Sequence, residues 1–79
     1  MKLSEAAVGS SCIVQKIENV GDFSVKLKSF GFIFGAKVSV VKKSAFSGAL
    51  VVSASGCLYA LRKEAAALIE VDIENTSRR

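Results

Sequence analysis

The sequence predicts a mainly β fold: a small five-stranded barrel, with one short α-helix inserted after the first strand and helical turns near both ends. Three observations predict it. Five short segments are rich in β-branched residues and bounded by turn residues. Only one stretch, residues 22–30, carries apolar side chains at helical spacing. With 79 residues the chain makes one domain and not two. Five strands this short leave open edges unless the sheet closes, and a barrel removes edges.

Residues 3–8 have room for one helical turn, capped by Ser4 and ended by Gly9, with Leu3 and Val8 as its core anchors. Residues 10–17 (SSCIVQKI) are the first strand. There Cys12 and Val14 point one way and Ile13 and Ile17 the other, a pattern that asks for a bulge or for burial on both faces near one end. Residues 18–21 (ENVG) read as a turn. Residues 22–30 are the helix, with Asp22 as N-cap and with Phe23, Leu27 and Phe30 at i, i+4 and i+7 as its core face. A helix of about nine residues is marginal alone in water, so packing must hold it.

Gly31 stands where a helix stops in the left-handed conformation. Gly35 marks the entry to a second strand, residues 36–43, in which Val38 and Val40 alternate with Lys37 and Ser39. Residues 44–48 (SAFSG) form a loop carrying Phe46. Residues 49–55 and 57–61 are two strands turned at Gly56, hence a hairpin. Residues 62–67 hold strong helix formers with room for one or two turns. Residues 68–73 alternate Ile69, Val71 and Ile73 against Glu70 and Asp72, a half-buried strand. Residues 1–73 are therefore one domain, and 74–79, which lack any apolar residue, are a flexible C-terminal tail. The assembled expectation is an SH3-like barrel whose helix plugs one open end.

Composition excludes several kinds of function. The chain has no histidine, tryptophan or proline. Without histidine it lacks the usual general base near neutral pH and the commonest transition-metal ligand. No lysine and hydroxyl residue stand in P-loop spacing, so nucleotide binding is not expected. An enzyme reading has no residues to rest on, and no cofactor or metal is expected. The net charge of +4 is a mild basic bias, and Arg78 and Arg79 contribute to it from the tail. Tyr59 is the only tyrosine, and no strand interleaves aromatic with basic residues as single-strand binders do. No apolar run reaches the ~18–20 residues that span a membrane. The first residues do not read as a secretory signal, so the expected location is the cytoplasm. Cys12 and Cys57 are expected to be buried small hydrophobes.

The run LKSFGFIFG from Leu27 to Gly35, followed by residues 36–41, resembles the L-x-x-L/F-G-h-x-P-G-x-x-h-x-h block of the FeoA family, small accessory proteins of bacterial ferrous iron uptake. A second block is similar to that family's ending: Gly56, Leu58, then Ala60, Leu61 and Arg62, then Ala65 to Ile69 and Val71. Leu3, Gly9, Ile13 and Ile17 fit its first strand. The resemblance covers about residues 3–73. Leu27, Gly31, Gly35, Gly56, Ala60, Leu61, Arg62 and Ala65 are its structural motif positions. One departure stands in the turn, where the family's proline is Phe34 here. Another is the loop SAFSGA after the second strand, where the family often has proline.

The resemblance implies an SH3-like barrel, a cytoplasmic location and one partner, the cytoplasmic region of the FeoB transporter, a GTPase joined to a permease. It implies no direct membrane contact, and no nucleic acid as partner. Phe32, Phe34 and Phe46 lie in turns, where large apolar groups are hard to bury, and are the candidate contact residues. Lys42 and Lys43 are the candidate polar rim of that contact. Two alternatives belong to other classes. One is a small basic barrel binding nucleic acid. The other is a ferrous-iron chaperone, for which Cys12, Cys57 and the strand carboxylates Glu70, Asp72 and Glu74 are the candidate ligands.

Overall fold

The computed structural model describes residues 1–18, 21–44 and 48–74. After a 3₁₀ turn, Leu3–Glu5, come β1 (Ser11–Ile17), α1 (Asp22–Ser29), β2 (Lys37–Lys43), β3 (Leu50–Ala54), β4 (Cys57–Leu61), α2 (Lys63–Ala66) and β5 (Ile69–Ile73). Each predicted element is present, with ends shifted by a residue or two, except that the first turn ends at Glu5, three residues before the expected end at Val8. The strands form one antiparallel sheet in the order β4-β3-β2-β1-β5.

The imperfect alternation in β1 has the expected cause. The pairing with β5 shifts between Val14 and Lys16, so Gln15 is the extra residue. Cys12 and Val14 are buried before the bulge, and Ile17 packs against the core after it. A second irregularity, between Val40 and Lys42, sits in the β2–β3 ladder.

Edges are managed differently from the expectation. The ladder ends at β4 and β5, which do not pair with each other among the described residues. The outer edge of β5 is taken by the start of the chain: Val71 N–H donates to Met1 O at 2.7 Å, the Met1 ammonium donates to Val71 O at 3.2 Å, and Lys2 forms a bridge with Glu70. Between β4 and β5 the chain passes through α2, and α1 lies against the same gap.

The core runs from Leu3 and Ala6 through Val14, Val38, Val40 and Val52 to Leu50, Ile69 and Val71. Val8, expected as an anchor, is exposed, because the single 3₁₀ turn ends at Glu5 and Ala6 supplies the second contact. The turn is capped by Glu5, whose carboxylate accepts the Lys2 N–H at 2.9 Å, and not by Ser4. Glu74, predicted to fray, is held: its N–H donates to Ser11 O at 2.8 Å and its carboxylate meets Lys37 Nζ at 3.1 Å. The rest of the predicted tail, and parts of the predicted turn at 18–21 and loop at 44–48, lie outside the described residues.

A groove beside α1 and a pinned aromatic tip

Helix α1 starts at Asp22, and its cap lies one residue earlier than expected. Gly21 is the N-cap, with a φ of +84°. Asp22 sits in the first turn, where its charge opposes the helix dipole favourably. Ser24 is buried and its hydroxyl donates to Gly21 O at 2.7 Å.

The other end is a Schellman stop. Gly31, at φ +103°, donates to Lys28 O at 3.0 Å, and Phe32 N–H donates to Leu27 O at 3.2 Å. That geometry folds the residue after the glycine back toward the helix, and a buried pair between it and the helical residue five earlier usually follows. Leu27 and Phe32 are that pair, both in the core. Phe32 is fully buried, at 0% exposure, and Tyr59 meets its ring edge-on at 5.4 Å. It is therefore not a surface contact residue. The signal was in the sequence, since a residue directly after a helix-stopping glycine is the one the stop folds inward.

The core face expected of α1 is only partly core. Leu27 is buried, but Phe23 and Phe30 stay substantially exposed. Phe30 stacks on Tyr59 at 5.2 Å, and the Tyr59 hydroxyl donates to Phe30 O at 3.1 Å. Phe23 and Leu27 instead form one wall of an open groove of about 650 Å³. Ala60, Leu61, Ala65 and Leu68 make the remaining apolar lining, with Arg62 and Glu64 also present. Four motif positions, Ala60, Leu61, Arg62 and Ala65, meet Leu27 here. Sequence reading gave these residues only structural roles. The missed signal is that β4 and a very short α2 offer too little cover for a helix bearing two phenylalanines.

Beyond the helix stop, residues 33–36 make a tight turn. Ala36 N–H donates to Ile33 O at 2.9 Å, and Gly35 takes the third position with φ +85°. The turn is pinned to β1 on both sides: Gly35 N–H donates to Val14 O and Val14 N–H to Ala36 O, each at 2.8 Å. Phe34 occupies the second position, which suits proline and points outward. It is 76% exposed, the sense in which it was expected to serve as a contact residue. A smaller cleft of about 300 Å³ lies at its base, lined by Gln15, Lys16, Ile17, Lys28, Phe32, Ile33 and Phe34.

The remaining candidates are dispersed. Lys42 and Lys43 end β2, and Lys43 Nζ donates to Ser4 O at 3.3 Å. They cannot rim the Phe34 tip, because β2 begins beside it and its seven residues run on for about 20 Å. Phe46 lies outside the described residues. The β3–β4 turn uses positive φ at both central residues, Ser55 at 54° and Gly56 at 79°, the geometry of a two-residue hairpin.

Cys12 is buried, as expected, and burial pushes its thiol pKa up against the opposing effect of the Ser10 hydroxyl. Cys57 is exposed, against expectation, because it begins the outer strand β4. Desolvation, then the neighbouring Cys57, raises the Tyr59 pKa. Glu70 faces the Met1 ammonium at 3.9 Å and Glu74 faces Lys37, so two of the three strand carboxylates are directed to separate cations. Among the described residues, no three of His, Cys, Asp and Glu group together as metal ligands. No described helix is long and apolar enough to cross a membrane.

Solved structures share this architecture. The iron(II) transport protein A of Clostridium thermocellum is 30% identical with a TM-score of 0.86, covering 92% of this chain. This chain spans 45% of that one. The FeoA protein of Chlorobium tepidum is 27% identical at a TM-score of 0.88, with 99% of this chain and 74% of that one covered. FeoA of Stenotrophomonas maltophilia, in complex with zinc, is 29% identical at a TM-score of 0.82, over 91% of this chain and 89% of that one. It is described as an SH3 domain protein and a candidate activating factor of ferrous iron transport. No curated protein gives a significant match. The FeoA domain model matches residues 1–73, all but one of the residues described at the C-terminal end, and the chain belongs to the FeoA family.

Proposed function

We propose that this chain is a non-enzymatic cytoplasmic accessory factor of ferrous iron uptake, acting by protein contact with the cytoplasmic region of a FeoB transporter. Family membership supports the process, and a solved relative described as a candidate transport activating factor supports the accessory role. The observation that carries the contact is the groove beside α1. Its walls are apolar: Phe23 and Leu68 reach solvent, buried Leu27 and Leu61 back them, and a domain leaves such an apolar surface uncovered at a cost. An apolar side chain of a partner segment filling it removes that surface from water, at roughly 25 cal/mol per Å². Arg62 and Glu64 offer one charge of each sign for orienting the segment.

The test is titration of the chain against cytoplasmic segments of FeoB, and against full-length FeoB in detergent. Saturable binding, weakened about tenfold by Phe23→Ser, is expected. Leu58→Ser, an equally apolar change on the exposed face of β4, should leave it intact. A wild-type chain that binds no form of FeoB overturns the reading.

A further inference from the structure

The geometry points to the tip at residues 33–36 as a membrane-surface anchor, seated on a bilayer that carries anionic phospholipid. It stands apart from the groove and does not depend on what fills that groove.

Three observations carry it. First, the apex is apolar and cannot retract. Ile33 and Phe34 are exposed, at 54% and 76%. The turn that presents them is bonded to β1 through Val14 N–H and Val14 O. Phe34 is therefore held outward before anything meets it, and little ordering remains to be done on contact.

Second, the turn spends its backbone groups internally. Ile33 N–H donates to Gly31 O, Ile33 O accepts Ala36 N–H, Gly35 N–H donates to Val14 O, and Ala36 O accepts Val14 N–H. Unpaired N–H and C=O groups are costly to carry out of water, and here five of the turn's eight are bonded, leaving Phe34 N–H, Phe34 O and Gly35 O for the lipid headgroups and water at the bilayer surface. Phe34 replaces the proline expected at this position, so the ring adds apolar reach where the turn is already fixed.

Third, the charged side chains that line the cleft at the base of the tip have one sign. Lys16 from β1 and Lys28 from α1 line the cleft at the base of the tip, and no acidic side chain lines it. Neither lysine has an ion-pair partner among the described residues. An apolar apex with ammonium groups set back from it matches the layering of a bilayer surface: hydrocarbon inside, phosphate outside. Lysine stems reach along the apolar side and leave their charge at the phosphate level. A protein partner for this tip would need acids arranged around an apolar socket, whereas an anionic bilayer supplies both anywhere on its surface. Direct membrane contact departs from the indirect contact that the family resemblance implies.

The test is co-sedimentation of the full chain with vesicles of phosphatidylcholine mixed with phosphatidylglycerol, beside vesicles of phosphatidylcholine alone. Binding to the mixed vesicles, weakened by salt and weak on phosphatidylcholine, is expected. Phe34→Ser should lower it about tenfold. Lys16→Gln with Lys28→Gln should lower it and flatten its salt dependence. Leu58→Ser, on the exposed face of β4, should not change it. The chain has no tryptophan, so Phe34→Trp reports directly, and its emission should shift to the blue on mixed vesicles. Three results overturn the proposal: no sedimentation of the wild-type chain, full binding by Phe34→Ser, or an unshifted Phe34→Trp emission. If Phe34→Ser weakens only binding to FeoB, the tip belongs to a protein and the membrane assignment is wrong.

Discussion

The groove and the tip both leave apolar side chains in water, but they are held by different forces. The tip is a backbone object. Its shape comes from four hydrogen bonds and one glycine, and Phe34 can be changed without touching any of them. The groove is a packing object. Its walls, Leu27, Leu61 and Ala65, are also core residues, so its shape rests on the contacts that stabilise the fold. Phe32 and Phe34 make the contrast in one segment, two residues apart: one fully buried, one almost free.

Substitutions at the two regions should therefore separate stability from surface function. The largest effect is expected at the buried member of the aromatic pair. Phe32→Ala leaves a cavity under Tyr59 and should cost about 3–5 kcal/mol, read as a fall in the urea midpoint. Leu27→Ala should cost about 2–5 kcal/mol, widening the groove while loosening the core.

Gly35→Ala comes next. An added Cβ has open space, with nothing within 4 Å, so the cost is the positive φ alone, about 1–2 kcal/mol. A loss well beyond that would show that the tip, too, is held by packing. Ionisation offers a milder probe. Cys12 and Tyr59 both have raised pKa values, so the folded state favours their neutral, protonated forms. That stability is complete below the unfolded thiol value of about 8.5 and is lost as pH rises through the folded values. Melts from pH 7 upward should show the decline beginning above about pH 8.5, and Tyr59→Phe should reduce it.

The smallest effect is expected at the tip. Phe34→Ser should change stability by no more than about 0.5 kcal/mol, because it removes neither a buried contact nor a turn bond. A destabilisation comparable to that of Phe32→Ala would erase the distinction between the two regions.

Much of the fold was legible in the sequence because local patterns agree with the final structure. The glycines at 31, 35 and 56 all sit at positive φ, and the broken alternation in β1 is a bulge. What was not legible was which elements cover which. Helical spacing marked Phe23, Leu27 and Phe30 as one face, yet only Leu27 found complete cover, because the elements opposite are a five-residue strand and a four-residue helix. Cys57 was misplaced for a related reason, since nothing in its local sequence says that β4 is an outer strand. Exposure at Phe34 could be read because the turn dictates it. Burial at Phe32 required reading the helix stop as a fold-back.

The covering of β5 by the first two residues has a consequence for how the chain acquires its shape. Met1 bonds to Val71 across 70 positions, and β1 pairs with β5 over most of its length. Loops that long close slowly, and sheets dominated by distant pairings fold later than those built from neighbours. The β2–β3–β4 meander can form from adjacent segments, but β1 has one side unpaired until the last strand has been made. During synthesis, then, the nascent chain holds a half-finished sheet whose exposed flank is completed only when residues 69–73 leave the ribosome. Truncation within that strand should yield an aggregation-prone chain, since it strands β1 at an edge and frees the N-terminal segment that depends on Val71.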